Sequence, residues 1–274
     1  MKKLFIVIFS LLFISYSSLI ADDRNLELGN PTNAIHDIKS NRNYLIEREQ
    51  YSLSYDNESG IPNWVSWHLG VEDMGDVGRT GNFYTDNSLP DRWYKVKHSD
   101  YTNGGLDRGH MCPSADRTKT IEDNKATFFM TNIVPQTAAN NRGAWANFEN
   151  YLRDLVRKKN KEIYIVAGVY ASSGTLKNEG RVRIPLDTWK IAVVLENGNF
   201  DISRINEDTD VIAIVVPNKT SLDSDWKKYI KSVGYIEHLL TYDIDNLKKY
   251  DFLSEVPDEI EKVIENKKFD GVID

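Results

Sequence analysis

Histidine is the side chain best placed to accept a proton near neutral pH, and one of the five in this chain has chemically suggestive neighbours. In Leu106-Asp107-Arg108-Gly109-His110-Met111 an acid, a cation and a glycine directly precede His110. An adjacent arginine can neutralise an anionic substrate, and a glycine lets the backbone approach it closely. His36, His68, His98 and His238 stand alone in strand-like, helical or polar stretches, where structural or surface roles are the default. Spacing alone leaves His110 open between catalysis and a structural place, because short motifs recur by chance. Cys112, the one cysteine, lies two residues further on. A thiolate–imidazole pair normally comes from separate chain segments, and a metal site on these two residues lacks further soft ligands nearby. Cys112 is therefore expected to be a small buried residue, and an intrachain disulfide framework is excluded.

These residues fall in a stretch, 70–120, rich in Gly, Asp and Asn and without a sustained apolar period. A loop region that long inside a compact domain is usually functional. Around it, Gln50 to Tyr55 alternates as a strand should, Asn57 to Pro62 turns, and Trp64 to Leu69 completes a hairpin. Apolar strands are expected again at Ile163–Val169, Trp189–Leu195 and Val211–Val216. Between them, Trp145, Phe148, Leu152, Leu155 and Val156 recur at helical spacing within Ala144–Lys159. Pro257 to Lys267 is a second helix, with the proline in its first turn. Asp22 to Glu49 is polar and aperiodic, and reads as an arm laid loosely over the core. Strands and helices do not alternate regularly, so the pattern is α+β rather than doubly wound.

The 274 residues carry 41% hydrophobic and 27% charged side chains, an ordinary folded composition that argues against disorder, collagen or coiled coil. A net charge of −7 excludes a broadly basic nucleic-acid binder but permits a local basic patch. Residues 142–183 hold nine Lys/Arg against four acids, whereas 196–274 hold ten against eighteen. Both are compatible with solvated faces, or with a polyanion seated on the basic middle. Met1-Lys2-Lys3, the apolar run Leu4 to Ile14 and Ala21 read as a secretory signal peptide over residues 1–21, cut after Ala21, with a retained membrane anchor as the alternative. No cysteine follows it, so no lipid anchor or lasting membrane association is expected, and the protein is read as secreted or periplasmic.

Asp107-Arg108-Gly109-His110-Met111, followed by Pro113, Ala115 and Asp116, resembles the active-site signature of the DNA/RNA non-specific endonucleases, the ββα-metal family that includes secreted bacterial nucleases and endonuclease G. Asn132-Ile133-Val134-Pro135-Gln136 is similar to that family's Asn-x-x-Pro-Gln segment. Asn141 to Glu149 resembles its Asn-x-Gly-x-Trp…Leu-Glu helix start, with Phe148 in place of leucine. The resemblance runs from about residue 45 to 260 and implies one domain, 22–274, with a mostly antiparallel sheet core flanked by helices. It implies His110 as the general base that activates water, Arg108 as the cation facing the charged transition state, and Asn141 as the single protein ligand of a catalytic Mg²⁺ (with Mn²⁺ as the other candidate ion). It also implies Glu149 as the acid that holds a water on that metal, and Asn132 as a support of the same network. On one straight helix Asn141 and Glu149 stand about 12 Å apart along the axis, so a shared direct contact with the ion is not expected. A second family arginine normally comes from a loop before the histidine motif. Here the closest register puts Gly81 at that position and Arg79 two residues away. Arg79 and Arg142 are the expected substrate-binding cations.

The expectation is thus a secreted, Mg²⁺-dependent endonuclease that hydrolyses DNA and RNA without sequence specificity, leaving 5′-phosphates, with a protein inhibitor among its partners. Two alternatives remain: a narrower enzyme confined to single strands or one sugar type, which comparative cleavage rates separate, and a silent relative that retains nucleic acid without cutting it.

Overall fold

The computed structural model describes residues 24–178, 180–242, 249–271 and 273; the proposed signal peptide lies outside them. The strands are β1 (Tyr44–Glu47), β2 (Ser52–Asp56), β3 (Ile61–Leu69), β4 (Asp107–His110), β5 (Ile133–Gln136), β6 (Lys161–Tyr170), β7 (Asp187–Glu196), β8 (Asp210–Pro217) and β9 (Ile230–Lys231). The helices are α1 (His98–Tyr101), α2 (Ile121–Ala126), α3 (Trp145–Lys159), α4 (Asp201–Arg204), α5 (Val233–Thr241) and α6 (Asp258–Ile264).

Seven strands form one antiparallel sheet in the order β1-β2-β3-β6-β7-β8-β9, while β4 and β5 pair apart from it as a two-stranded ribbon. The central strands are buried on both faces, as the near-continuous apolar runs of β6, β7 and β8 require. One face packs Val65, Trp67, Ile163, Ile165 and Ala167 against the Trp145, Phe148, Leu152, Leu155 and Val156 stripe of α3. Each such side chain, taken fully out of water, contributes about 1.5–3 kcal/mol, so the stripe fixes α3 firmly over the sheet. The opposite face carries Trp64, Tyr164, Trp189 and Val193 beneath α5 and the Tyr250–Val256 segment. The molecule is α+β in three layers, with the β4–β5 ribbon beside α3. No described helix is long and apolar enough to cross a membrane.

Four local expectations change. The 22–49 segment is no loose arm: Leu28, Ala34, Tyr44 and Ile46 are buried, and Tyr44–Glu47 joins the sheet as its edge strand. The histidine motif is not loop but strand β4, given its ladder by β5. Regular α3 begins at Trp145, after a wide turn over Asn140–Ala144 in which Gly143 leaves helical geometry. The straight-helix spacing between Asn141 and Glu149 therefore does not hold. Finally α5 was not foreseen; Ser232 caps it by accepting from the Tyr235 amide.

Candidate active site

The ribbon places the histidine motif in register, with Asp107 opposite Gln136, Arg108 opposite Pro135, Gly109 opposite Val134 and His110 opposite Ile133. Gly109 is required by contact rather than by turn chemistry. A Cβ there would stand 1.7 Å from Gln136 Oε1, and that side chain is fully buried. Immediately after His110, Asn132 clamps the chain: its Nδ2 donates to the carbonyls of Cys112 and Thr127, and its Oδ1 accepts from the Cys112 amide. These contacts use the whole amide, which is fully buried and does not line the cleft.

His110 is 8% exposed, and its Nε2 is buried without a hydrogen-bond partner. Its ring lies between Phe128, edge-on at 4.8 Å, and Phe83 at 5.5 Å. Burial, reinforced by the Arg79 guanidinium, pushes the imidazolium down to about 3. The ring is neutral at physiological pH, with a free nitrogen where a base needs one. Arg79 itself lies over the Phe128 ring at 5.1 Å. Arg108 sits over the Phe83 ring at 5.6 Å, while its Nη2 reaches His98 Nε2 at 3.1 Å and the His98 carbonyl oxygen at 3.2 Å.

Across from the histidine, Asp107 receives three donors. Asn141 Nδ2 donates to Oδ2 at 3.0 Å, and Arg142 grips both oxygens from Nε and Nη2 at 2.8 and 2.6 Å. Partial burial would raise this carboxyl, but the Arg142 and Asn141 bonds hold it below the ordinary aspartate range. With Nδ2 so committed, the Asn141 carbonyl oxygen is left for another partner. One turn into α3, Glu149 Oε1 accepts from Lys190 Nζ at 2.8 Å, and Arg153, a turn further on, pairs with Asp116 at 2.7 Å.

Arg79, Arg108, His110, Asn141, Arg142 and Glu149 all line one cleft of about 600 Å³, together with Asp107, Phe83 and Arg153. Six of the seven expected site residues thus meet, although they come from four separate stretches of chain. Asn132 is the exception, spent on shaping the turn behind His110. Arg153 and Lys190 carry no site role in the sequence reading, which has Arg153 as a helix cation and Trp189-Lys190 as part of a strand. Arg153 stands four residues after Glu149, a spacing indistinguishable from an exposed helix pair. Lys190 stood within an apolar strand with no chemical neighbour in sequence. Two further acid–histidine groups, His68 with Glu162 and Asp201 and His68 with Glu72 and Asp73, do not line the cleft. Their carboxylates are already engaged by Arg204 and Arg24.

Residues 28–259 match the sequence profile of the DNA/RNA non-specific endonucleases. The chain belongs to that family. It is a hydrolase that cuts phosphodiester bonds within DNA and RNA, in a family that works with a metal ion. This endonuclease is 46% identical over 243 residues to a nuclease of Nostoc sp., covering 89% of this chain and 85% of that protein. It is 31% identical over 189 residues to the mitochondrial nuclease EXOG of Xenopus laevis, covering 63% of this chain but only half of that longer protein. In fold it resembles a solved chain from the EndoG/EndoGI complex, with a TM-score of 0.69 at 22% identity over 89% of this chain and 96% of the other.

Proposed function

We propose that this endonuclease is a secreted or periplasmic enzyme that hydrolyses DNA and RNA with Mg²⁺, Mn²⁺ being the other ion the donors would accept. In this reading residues 1–21 are its signal peptide and 22–274 its single domain. The observation that carries the catalytic part is His110: a buried, uncharged imidazole whose Nε2 has no partner, on the wall of a cleft ringed by arginines. His110 takes the proton from the attacking water. Arg108 and Arg79 face the phosphate and offset the charge that grows on it, while Arg142, exposed and held by Asp107 along one edge of its guanidinium, extends the donors along the backbone. Positions of strong positive charge and neutral base fit in-line attack on phosphorus, with no need for a nucleophilic side chain.

Asn141 is the residue that would hold the ion. Its amide nitrogen is pinned by Asp107, which leaves a neutral, hard carbonyl oxygen, a donor suited to Mg²⁺. Glu149 would bind the ion's hydration water rather than the ion. Bound there, the cation would supply charge neutralisation at the phosphate and the leaving oxygen. The solved EndoG was captured with EndoGI, an inhibitor. A protein that fills this cleft with acidic groups is a matching partner for the present chain.

Cleavage of plasmid DNA and of RNA, with Mg²⁺ and with EDTA, tests the reading. Cleavage by the wild type that needs the metal, and its loss in His110→Ala, is the expected result. Cleavage that survives the substitution overturns the assigned base, and tight DNA retention without cleavage indicates the silent relative.

A further inference from the structure

Beneath the cleft floor lies a lysine that no part of the reaction above employs. Lys190, on β7, is 0% exposed and its ammonium sits 4.1 Å from the centroid of the Trp145 ring and 5.2 Å from that of Trp67. Its hydrogen bond goes to Glu149 Oε1 at 2.8 Å. Glu149 lines the cleft, and among the described residues its Oε2 has no bonded partner.

Burying an ion pair is a poor way to stabilise a fold. Desolvation offsets the attraction, and replacing both partners by apolar side chains of similar volume is often neutral or stabilising. A methionine between the two tryptophans, opposite a neutral side chain at 149, would satisfy this core. The ammonium is instead caged by two indole faces, which hold a cation well, and its four-carbon stem is packed on every side. It therefore acts as a fixed anchor for one carboxylate oxygen. A second buried pair runs beside it: Trp67 Nε1 donates to Asp116 Oδ2 at 3.0 Å, and Arg153 Nη1 donates to Asp116 Oδ1 at 2.7 Å. Trp67 thus touches both pairs, and the floor is rigid and charge-balanced.

We propose that Lys190 is the positioning residue of Glu149: it fixes Oε1 within the core and presents Oε2 to the cleft in a single orientation. This rests on the role proposed above for Glu149. Lys190 touches neither substrate nor ion and acts wholly through that carboxylate.

The test is Lys190→Met, with Glu149→Gln and the double variant beside it. Lys190→Met leaves the Glu149 carboxylate without its partner and should lower the melting temperature, and the double variant, which also removes the Glu149 charge, should recover much of that loss. Its kcat on DNA should fall about 10–100-fold, the usual cost of removing a group that orients a metal-site side chain. KM should stay within about twofold, because the phosphate-facing arginines are untouched. Calorimetric titration with Mn²⁺ should show weaker binding than the wild type. In the Glu149→Gln background Lys190→Met should change neither kcat nor Mn²⁺ affinity further. A folded Lys190→Met enzyme with wild-type kcat, or a loss that adds in full to that of Glu149→Gln, overturns the proposal. Should Lys190→Met not fold, Lys190→Gln is the second variant: its amide is uncharged and stops one atom short of the Glu149 carboxylate, so kcat and Mn²⁺ affinity should fall, and a folded Lys190→Gln enzyme with wild-type values overturns the proposal. If Glu149→Gln itself cleaves like the wild type, the assigned role of Glu149 falls first, and Lys190 loses its purpose with it.

Discussion

At His110 two requirements of a general base are met by different means. The β4–β5 ladder and the Asn132 clamp fix where the ring stands, while Phe83, Phe128 and Arg79 fix its charge. A histidine depressed to about 3 carries its basic form throughout the physiological range. The sign follows: protonation, and with it loss of the base, sets in only as pH falls toward that value. The rate profile attributable to His110 should be flat between pH 5 and 7, near its ordinary pKa of about 6.5. A kcat/KM profile with an acid limb centred near 6.5 would show that the ring is solvated in the working enzyme. Replacement by alanine should cost about 10²–10⁴-fold in kcat, the usual contribution of proton transfer, read as single-turnover cleavage of a defined duplex. This residue stood out in sequence because four informative types stand together, and the resemblance to the family then assigned its role. Lys190 was not, since its meaning comes from Trp67, Trp145 and Glu149, which reach it from two other elements.

At the level of elements, the site depends on how two short pieces meet one long one. The long apolar strands and the α3 stripe could be read from periodicity because burial repeats along them. The four-residue strands β4 and β5 could not. A ladder of that length has no period of its own and is set by its partner. The same holds for the wide turn at Asn140–Ala144, which sequence spacing presents as continuous helix. The turn lets Asn141 and Glu149, eight positions apart, face one cleft. Gly109 is the point at which the ribbon closes on itself. Gln136 is buried beside it, with Nε2 donating to Asn140 Oδ1 at 3.3 Å, so its side chain cannot simply swing aside. Gly109→Ala should destabilise the enzyme by about 1–3 kcal/mol, the usual cost of overpacking a filled core. Activity should fall further than stability accounts for, because the displaced residue lies between Arg108 and His110. Urea denaturation paired with kcat at a temperature where the variant is fully folded checks both. A variant that is destabilised yet has wild-type kcat would show that the ribbon tolerates the shift.

The molecule as a whole is held by a second polar centre on the sheet face away from the cleft, and its behaviour with pH differs in kind from that of His110. His68, 2% exposed on β3, places Nε2 3.3 Å from Glu162 Oε2 on β6 and Nδ1 3.6 Å from Asp73 Oδ2. Arg24, from the segment that precedes the sheet, pairs with Glu72 and Asp73, and Arg204 on α4 pairs with Glu162 and Asp201. Four parts of the chain are thereby joined through one imidazole. Burial alone would lower the pKa of His68, but the carboxylates of Asp73 and Glu162 more than reverse this and raise it. A raised histidine stabilises the fold fully below its unfolded value of about 6.5, and that contribution is lost as pH rises through the folded pKa. The C-terminal carboxyls act in the same direction. Burial raises Glu237 and Glu261, each also facing Glu265, so folding favours their protonated forms and loses that advantage on the alkaline side of the ordinary glutamate range. Both contributions weaken the fold as pH rises, the glutamates between their ordinary value of 4.5 and about 8 and His68 from about 6.5 upward, by about 1.4 kcal/mol for each unit by which the folded pKa of Glu237 or His68 exceeds the unfolded one and by less for the more exposed Glu261. Urea midpoints measured from pH 6 to pH 9 should fall for the wild type. His68→Gln should be less stable than the wild type at pH 6 and closer to it at pH 9, whereas Glu237→Gln should gain most at pH 9. A wild-type midpoint that stays level across the range, or a His68→Gln deficit that grows with pH, would mean that the imidazole is neutral in the folded protein and that Arg24, Arg117 and Arg204 balance these acids without it.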